Sequence, residues 1–200
     1  MNNLSVLLET ISSYMSEKRF RHTLGVIELA KSLAKYFDEV DDELISYAAA
    51  LHDVAKERPY TELVELSESY GIHLSSEDLD TPEALHSFAA PALILKDFPD
   101  YSHPDILSAV KNHTLGDVGM STFDKLIFIS DYAEFGRNNP HSITVREYLI
   151  SNLVENSVEH NLKILDNAIV SAIESTEKYL LSKGKKINSR SNKLKESLLP

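Results

Sequence analysis

The apolar residues of this chain recur at helical spacing, and this periodicity constrains the fold more than any other feature of the sequence. One series lies three or four residues apart, on one face of a helix: His22, Val26, Leu29, Leu33 and Phe37. Alternation of apolar and polar residues, which is typical of strands, is hard to find, and glycine contributes only 6 of the 200 residues. The pattern therefore predicts an all-α fold.

Several short signals predict where helices begin and end. Ser121 and Asp124 have the spacing of a capping box before an apolar run. A long helix is expected from about residue 156 to residue 181, and Gly184 follows it as a termination signal. Pro91 is expected to kink or break the helix in which it lies, because proline lacks the amide hydrogen that the helix needs.

The chain is long enough for one domain. Its 42% hydrophobic content supports a sizeable core, and neither internal repeats nor a long linker are visible. We expect a single-domain helical bundle over residues 1–182, followed by a basic C-terminal tail over residues 183–200. The lysine and arginine residues of that tail favour a solvated end, with an anion contact as the alternative.

Charge and composition exclude several classes of function. A formal net charge of −11 argues against nucleic-acid binding, since phosphate attraction requires a basic surface. No apolar run is long enough to span a membrane, and Glu9 interrupts the first apolar stretch, so a cytoplasmic protein is expected. Cysteine is absent, which rules out disulfides, thiolate metal ligands and a thiol nucleophile.

Histidines in helical segments are the candidate functional residues. The stretch "AAALHDVAKERP" ends a predicted helix with His52 and Asp53 side by side, a dipeptide that is ambiguous alone. His22, His86 and His113 have similar settings near helix ends or on apolar faces. Each alone is more often a hydrogen-bonded core residue than a ligand, but several together favour a common cluster.

Asp131 interrupts the apolar run "LIFISDYA", where an unpaired carboxylate would be costly. Imidazole and carboxylate ligands without sulfur suit iron, manganese, cobalt or zinc. The other four histidines are in polar or turn-like surroundings and are expected to be ordinary surface residues: His73, His103, His141 and His160.

The order His…His-Asp…Asp on a helical chain resembles the HD-domain metal-dependent phosphohydrolases. The likeness is closest to the branch of symmetrical bis(5′-nucleosyl)-tetraphosphatases of the YqeK type. The matching stretches lie between residues 19 and 137: "RFRHTLGVIELAKSLA", "AAALHDVAKERP", "ALH", "AVKNHT" and "GMSTFDKLIFISDYAEFGR".

This resemblance implies cleavage of diadenosine tetraphosphate into two ADP by a metal-activated water, with iron as the expected ion. The residues that it places as metal ligands are His22, His52, Asp53 and Asp131. The residues implied in catalysis are Asp53, Lys56, His86 and His113, the two histidines contacting phosphates or holding a second ion. Those implied in substrate binding are Arg19, His22, Asp53, Lys56, His86, His113, Thr114 and Arg137.

Departures from the branch leave other interpretations open. Ser87-Phe88 follows the third histidine where the branch usually has Gly-Pro, and "LGDVG" follows the His-Thr pair. The preferred base is therefore undefined, and the product could be ADP or GDP. The sequence also leaves open whether the protein forms a homodimer. The alternatives are another HD phosphohydrolase acting on nucleoside mono- or triphosphates or a signalling nucleotide, and a non-catalytic nucleotide-binding helical module. Lys56 could equally be a solvent-facing residue at a helix end.

Overall fold

The computed structural model of the protein describes residues 3–199, and within this range it contains helices and no strands. The predicted all-α class is confirmed. The α-helices are, in chain order, α1 Leu4–Ile11, α2 Glu17–Ala34, α3 Asp42–Leu51, α4 Tyr60–Ser69, α5 Ser76–Leu79, α6 Leu85–Asp97, α7 Pro104–Asn112, α8 Thr122–Ala133, α9 Pro140–Asn152, α10 Val158–Ser182 and α11 Ser189–Leu198. Short 3₁₀ helices cover Pro82–Ala84 and Pro99–Tyr101.

Helix α3 runs through the centre of the bundle. Every residue from Ile45 to Leu51 is buried, and α3 packs against α1, α2, α7 and α8. The side chains of Ala48, Ala49 and Ala50 are small, which allows these neighbours to approach the helix closely. The central position of α3 places whatever follows its C-terminus deep inside the protein.

Helices α2 and α8 pack against each other beside α3, and both have well-defined starts. The Ser16 side chain accepts a hydrogen bond from the Arg19 amide at the start of α2. The predicted capping box of α8 is confirmed, with Ser121 and Asp124 bonding to each other's main-chain amides. These caps fix where along each helix the polar residues of its later turns fall.

Pro91 was expected to kink or break its helix, and the expectation of a break is wrong. Helix α6 runs without interruption from Leu85 to Asp97, with Pro91 inside it. All residues from Leu85 to Ile94 are buried. Packing on this scale outweighs the roughly 3 kcal/mol that an interior proline costs.

The C-terminal segment packs against the bundle, although several of its lysines are exposed to solvent as expected. Gly184 adopts a φ of 65° after α10, and the chain then returns to form α11 against that helix. Leu194 on α11 is fully buried, and Arg190 forms an ion pair with the buried Asp78. The division of the chain at residue 183 remains a prediction.

No helix in the described part of the chain combines the length and apolar character needed to cross a bilayer.

Candidate metal centre

Five helices bring the predicted site residues together. His22 lies in the second turn of α2, and Asp131 lies near the C-terminal end of α8. His52 and His113 are the first residues after α3 and α7, and His86 is the second residue of α6. The four imidazole rings form a continuous series of edge contacts, with centroids 5.4 Å apart for His22–His52, 5.1 Å for His52–His113 and 4.9 Å for His113–His86.

One group of ligand atoms surrounds Oδ2 of Asp53. The Nε2 atoms of His22 and His52 lie 3.8 Å and 3.3 Å from this oxygen. Asp131 Oδ1 lies 2.9 Å from His22 Nε2 and 4.0 Å from His52 Nε2. Two imidazole nitrogens and two carboxylates therefore converge, as a nitrogen–oxygen metal site requires.

A second group faces the other oxygen of the same carboxylate. His86 Nε2 and His113 Nε2 lie 3.1 Å and 3.5 Å from Asp53 Oδ1. The Thr114 hydroxyl lies 3.2 Å from His86 Nε2 and 3.0 Å from His113 Nε2. Asp53 thus stands between two groups that could each hold an ion, with one carboxylate oxygen directed at each.

Each of the four histidines has its Nδ1 atom beside an acceptor outside the cluster. For three of them the acceptor is the main-chain carbonyl three residues earlier: Ala49 for His52 (2.7 Å), Glu83 for His86 (2.9 Å) and Val110 for His113 (2.7 Å). For His22 it is Oε1 of Glu134, at 3.2 Å. An imidazole that donates its proton from Nδ1 presents a lone pair at Nε2, so all four rings can direct a ligand atom inward.

Buried polar atoms without partners lie at the middle of the cluster. His22 Nε2, His52 Nε2 and Asp53 Oδ1 are shielded from solvent and have no hydrogen bond of acceptable geometry. Buried polar groups are nearly always satisfied, and unpaired ones are costly. Lone pairs and carboxylate oxygens that converge in this way fit a bound cation, which would satisfy them together.

Three cations border the cluster. Arg19 Nη1 contacts Asp53 Oδ2 at 2.6 Å, and Arg137 Nη2 contacts Asp131 Oδ1 at 2.8 Å. Lys56 Nζ lies 3.2 Å from the ring nitrogens of His86. Lys56 is half-buried against the site, so the interpretation of this residue as a solvent-facing helix end is wrong.

Burial and charge shift the pKa values of several groups in the cluster. Burial lowers the pKa of His86 to about 3, and burial also lowers the pKa of Lys56. Burial opposes ionisation of Asp53, but the neighbouring His52, His113 and His86 rings hold the pKa of that carboxyl well below its usual range. The pKa of Asp131 is also held well below its usual range, through His22, His52 and Arg137 acting against burial. Both aspartates are therefore charged at neutral pH.

The sequence did not single out Glu134, which contacts His22 from the segment after α8. The only available signal was its place in "DYAEFGR", three residues after Asp131. The remaining histidines have other partners or surroundings: His73 is exposed, His103 contacts Asp105, His141 contacts the Ser171 carbonyl and His160 contacts the Asn152 carbonyl.

Comparison with known proteins places this fold and cluster in a family. Residues 19–136, which include both aspartates and all four clustered histidines, match the HD domain. The chain belongs to the HD-domain family, as the resemblance predicted.

Relatives with a named activity cover almost the whole chain. A protein of Halalkalibacterium halodurans named "Bis(5'-nucleosyl)-tetraphosphatase, symmetrical" is 30% identical over 187 residues, which is 92% of this chain and 91% of that one. A protein of Bacillus subtilis with the same name is 29% identical over the same shares of both chains.

A solved structure has the same fold along its whole length. It is described as a predicted HD superfamily hydrolase involved in NAD metabolism, from Clostridium acetobutylicum. It is 27% identical to this chain, with a TM-score of 0.84, and the match covers 99% of this chain and 97% of that one.

Proposed function

We propose that this protein is a metal-dependent hydrolase that cleaves diadenosine tetraphosphate symmetrically into two ADP. The observation that carries the proposal is the cluster of four histidines and two aspartates. Some of the ligand atoms of this cluster are buried and have no hydrogen-bond partner, and cations lie beside it. The choice of substrate is based on the relatives named as symmetrical tetraphosphatases, which match nine-tenths of the chain.

The charge balance of the site supports a polyphosphate substrate, although the whole chain is acidic. Three carboxylates, those of Asp53, Asp131 and Glu134, are matched by three cations, Arg19, Lys56 and Arg137. A divalent ion added to this balanced group would make the site positive. Bound cations are often the largest local charges in such sites, and a positive cleft attracts anions despite a net charge of −11.

We propose that His22, His52, Asp53 and Asp131 hold the ion. When bound, such an ion polarises a phosphoryl oxygen and lowers the pKa of water, which is the chemistry that anhydride hydrolysis needs. Asp53 would orient the attacking water by accepting its hydrogen bond, since this carboxylate has an oxygen on each side of the cluster. Iron is the ion that we propose, with manganese, cobalt or zinc as substitutes. A second ion would be held by Asp53, His86 and His113.

The remaining polar residues would bind the phosphate chain. Lys56 and Arg137 border opposite sides of the cluster, one beside His86 and the other beside Asp131. Both can donate to phosphate oxygens and neutralise the charge that develops on the leaving ADP. Arg19 would donate from beside Asp53, and the Thr114 hydroxyl from beside His113.

Substrate profiling with product analysis tests the proposal. The purified protein would be assayed with diadenosine tri-, tetra- and pentaphosphate, with AMP and GTP, and with NAD, because the similar Clostridium acetobutylicum protein is described as involved in NAD metabolism. Metal content would be measured on the same sample. We expect ADP as the sole product from the tetraphosphate. In water labelled with ¹⁸O, we expect one of the two ADP molecules from each cleavage to contain one ¹⁸O atom. Formation of AMP and ATP, or hydrolysis of mononucleotides alone, would contradict the proposal.

We also propose that the protein acts in the cytoplasm on free nucleotides, consistent with a small-molecule substrate. Formation of a homodimer would be tested by light scattering.

A further inference from the structure

Glu134 is a buried carboxylate to which the proposed reaction assigns no role. It follows the last turn of α8 and is 3% exposed. Its Oε1 lies 3.2 Å from His22 Nδ1, and its Oε2 accepts a hydrogen bond from the Gly136 amide. A buried charge is costly unless it is paired, so this position needs a reason.

The position of His22 in its helix explains why it needs a side-chain acceptor. His52 and His113 use the Ala49 and Val110 carbonyls, which belong to the last turns of α3 and α7. Carbonyls in a last turn lack partners within the helix and are free to accept. His22 lies within α2, where the corresponding carbonyl, that of Arg19, is used by the helix itself. The acceptor that faces its Nδ1 atom is instead Glu134 Oε1, from the segment after α8.

A neutral imidazole carries one proton, and the partner of one nitrogen decides which nitrogen holds it. Glu134 accepts at Nδ1, which leaves the lone pair at Nε2, beside the two aspartates of the cluster. If the proton were on Nε2, that atom could not bind a cation. Carboxylates that fix a ligating histidine in this way also increase its basicity.

The neighbouring sequence leaves room for this carboxylate. A Cβ atom at Gly25, one turn after His22 on α2, would lie 2.3 Å from Glu134 Oε2. A Cβ atom at Gly136 would lie 2.9 Å from the same oxygen. The backbone at these two glycines does not need a positive φ, so the absence of a side chain serves the packing of Glu134.

We propose that Glu134 is a positioning residue that fixes the Nδ1–H tautomer of His22 and thereby sets the affinity of the metal centre. The inference rests on the proposed function, because it assumes that His22 is a ligand. Glu134 also connects His22 to the turn that carries Arg137. It accepts a hydrogen bond from the Gly136 amide, and its Oε1 lies 3.9 Å from Arg137 Nε.

The tautomer can be measured without metal or substrate. The full chain, labelled with ¹⁵N-histidine and freed of metal, would be studied by long-range ¹H–¹⁵N NMR at a pH where imidazoles are neutral. The His22 signals are assigned by their loss in His22→Gln. We expect the Nδ1–H tautomer in the unsubstituted protein and a mixture, or the other tautomer, in Glu134→Gln. In Gly25→Ala the carboxylate is kept but displaced, and we expect an intermediate result.

Metal affinity provides the second measurement, by competition of Mn²⁺ with a chelating dye. We expect Glu134→Gln to bind about 10- to 100-fold more weakly. Glu159→Gln, on the exposed surface of α10, is the control and should bind as the unsubstituted protein does. The inference is overturned if His22 carries its proton on Nε2 in the unsubstituted protein. It is also overturned if both Glu134→Gln and Gly25→Ala keep tautomer and affinity. Because neither readout involves turnover, failure of the proposed hydrolase activity would be seen separately.

Discussion

His86 and His113 face each other through their Nε2 atoms, 3.0 Å apart, inside the protein. Both rings have a carbonyl acceptor at Nδ1, so neutral rings would direct two lone pairs at each other. Both atoms also face Asp53 Oδ1. A cation shared by these three groups would relieve the repulsion between the lone pairs.

The facing Nε2 atoms of His86 and His113 predict the number of ions that the protein binds. We expect two ions per chain after reconstitution with Mn²⁺, and one in His113→Ala, because His22, His52 and Asp131 keep the first group intact. Equilibrium dialysis with elemental analysis measures the ratio. His160→Ala, on the exposed surface, should keep two ions. An unchanged count in His113→Ala would show that this histidine holds no ion.

Substitution of His52 should abolish turnover without unfolding the protein. His52→Ala removes a ligand from the first group, and we expect activity on diadenosine tetraphosphate to fall by at least about 10³-fold, or roughly 4 kcal/mol of transition-state stabilisation. Helicity by circular dichroism should stay nearly unchanged, since the residue lies just after α3. The exposed His103→Ala is the control. Retained activity in His52→Ala would refute the site.

Lys56 should contribute to phosphate binding through its charge. We expect Lys56→Met to lower kcat/KM for the tetraphosphate by about 10- to 100-fold, as loss of a charge-assisted hydrogen bond of roughly 1.5–3 kcal/mol predicts. Lys56→Arg should recover part of this loss. Lys163→Met, on the exposed face of α10, should match the unsubstituted protein. Equal kcat/KM for Lys56→Met and Lys163→Met would assign Lys56 to packing alone.

The sequence predicted those parts of the site that interrupt an apolar pattern. Asp131 was identifiable because it interrupts an apolar run, and His22 because it lies on the apolar face of its helix. Glu134 lies in a polar turn, where a glutamate is unremarkable, and its contact with His22 spans 112 positions. Pattern reasoning carries no information about such long-range pairing.

The C-terminal helix was missed for a related reason. Leu194 is the one residue on α11 that is buried, so the helix has little apolar periodicity to detect. Its attachment depends on polar contacts with α5 and the 3₁₀ turn before α6, such as those of Ser189 with Glu77 and Lys185 with Glu83. In the sequence these residues are indistinguishable from a solvated basic end.

Leu194 should be necessary for the attachment of α11. Its side chain is fully buried and packs against Gly116, which has a φ of 70° in the loop after Thr114. We expect Leu194→Ala to lower the free energy of unfolding by about 2–4 kcal/mol, through lost burial and the cavity that remains. Urea denaturation measures the change. Leu199→Ala, at a position 52% exposed, should change stability by less than about 0.5 kcal/mol. Equal effects of the two substitutions would contradict the packing of α11.

Asp78 should make the stability of the C-terminal attachment depend on pH. Burial alone would raise the pKa of this carboxyl, but hydrogen bonds from Arg190, Asn188 and Ser75 lower it from 3.8 to about 2. Because the folded-state pKa is below the unfolded value, the stabilisation is complete above the unfolded pKa. It is lost as the pH falls from about 4 to about 2.

Asp78→Asn tests this dependence. We expect it to lower the free energy of unfolding by roughly 2 kcal/mol at pH 7, as 1.36 kcal/mol per pKa unit predicts. The difference from the unsubstituted protein should shrink between pH 4 and pH 2, as followed by urea denaturation at a series of pH values. Asp80→Asn removes only an exposed pair with Lys186 and should have little effect at any pH. A constant difference between Asp78→Asn and the unsubstituted protein down to pH 2 would show that Asp78 stabilises the fold by shape and not by charge.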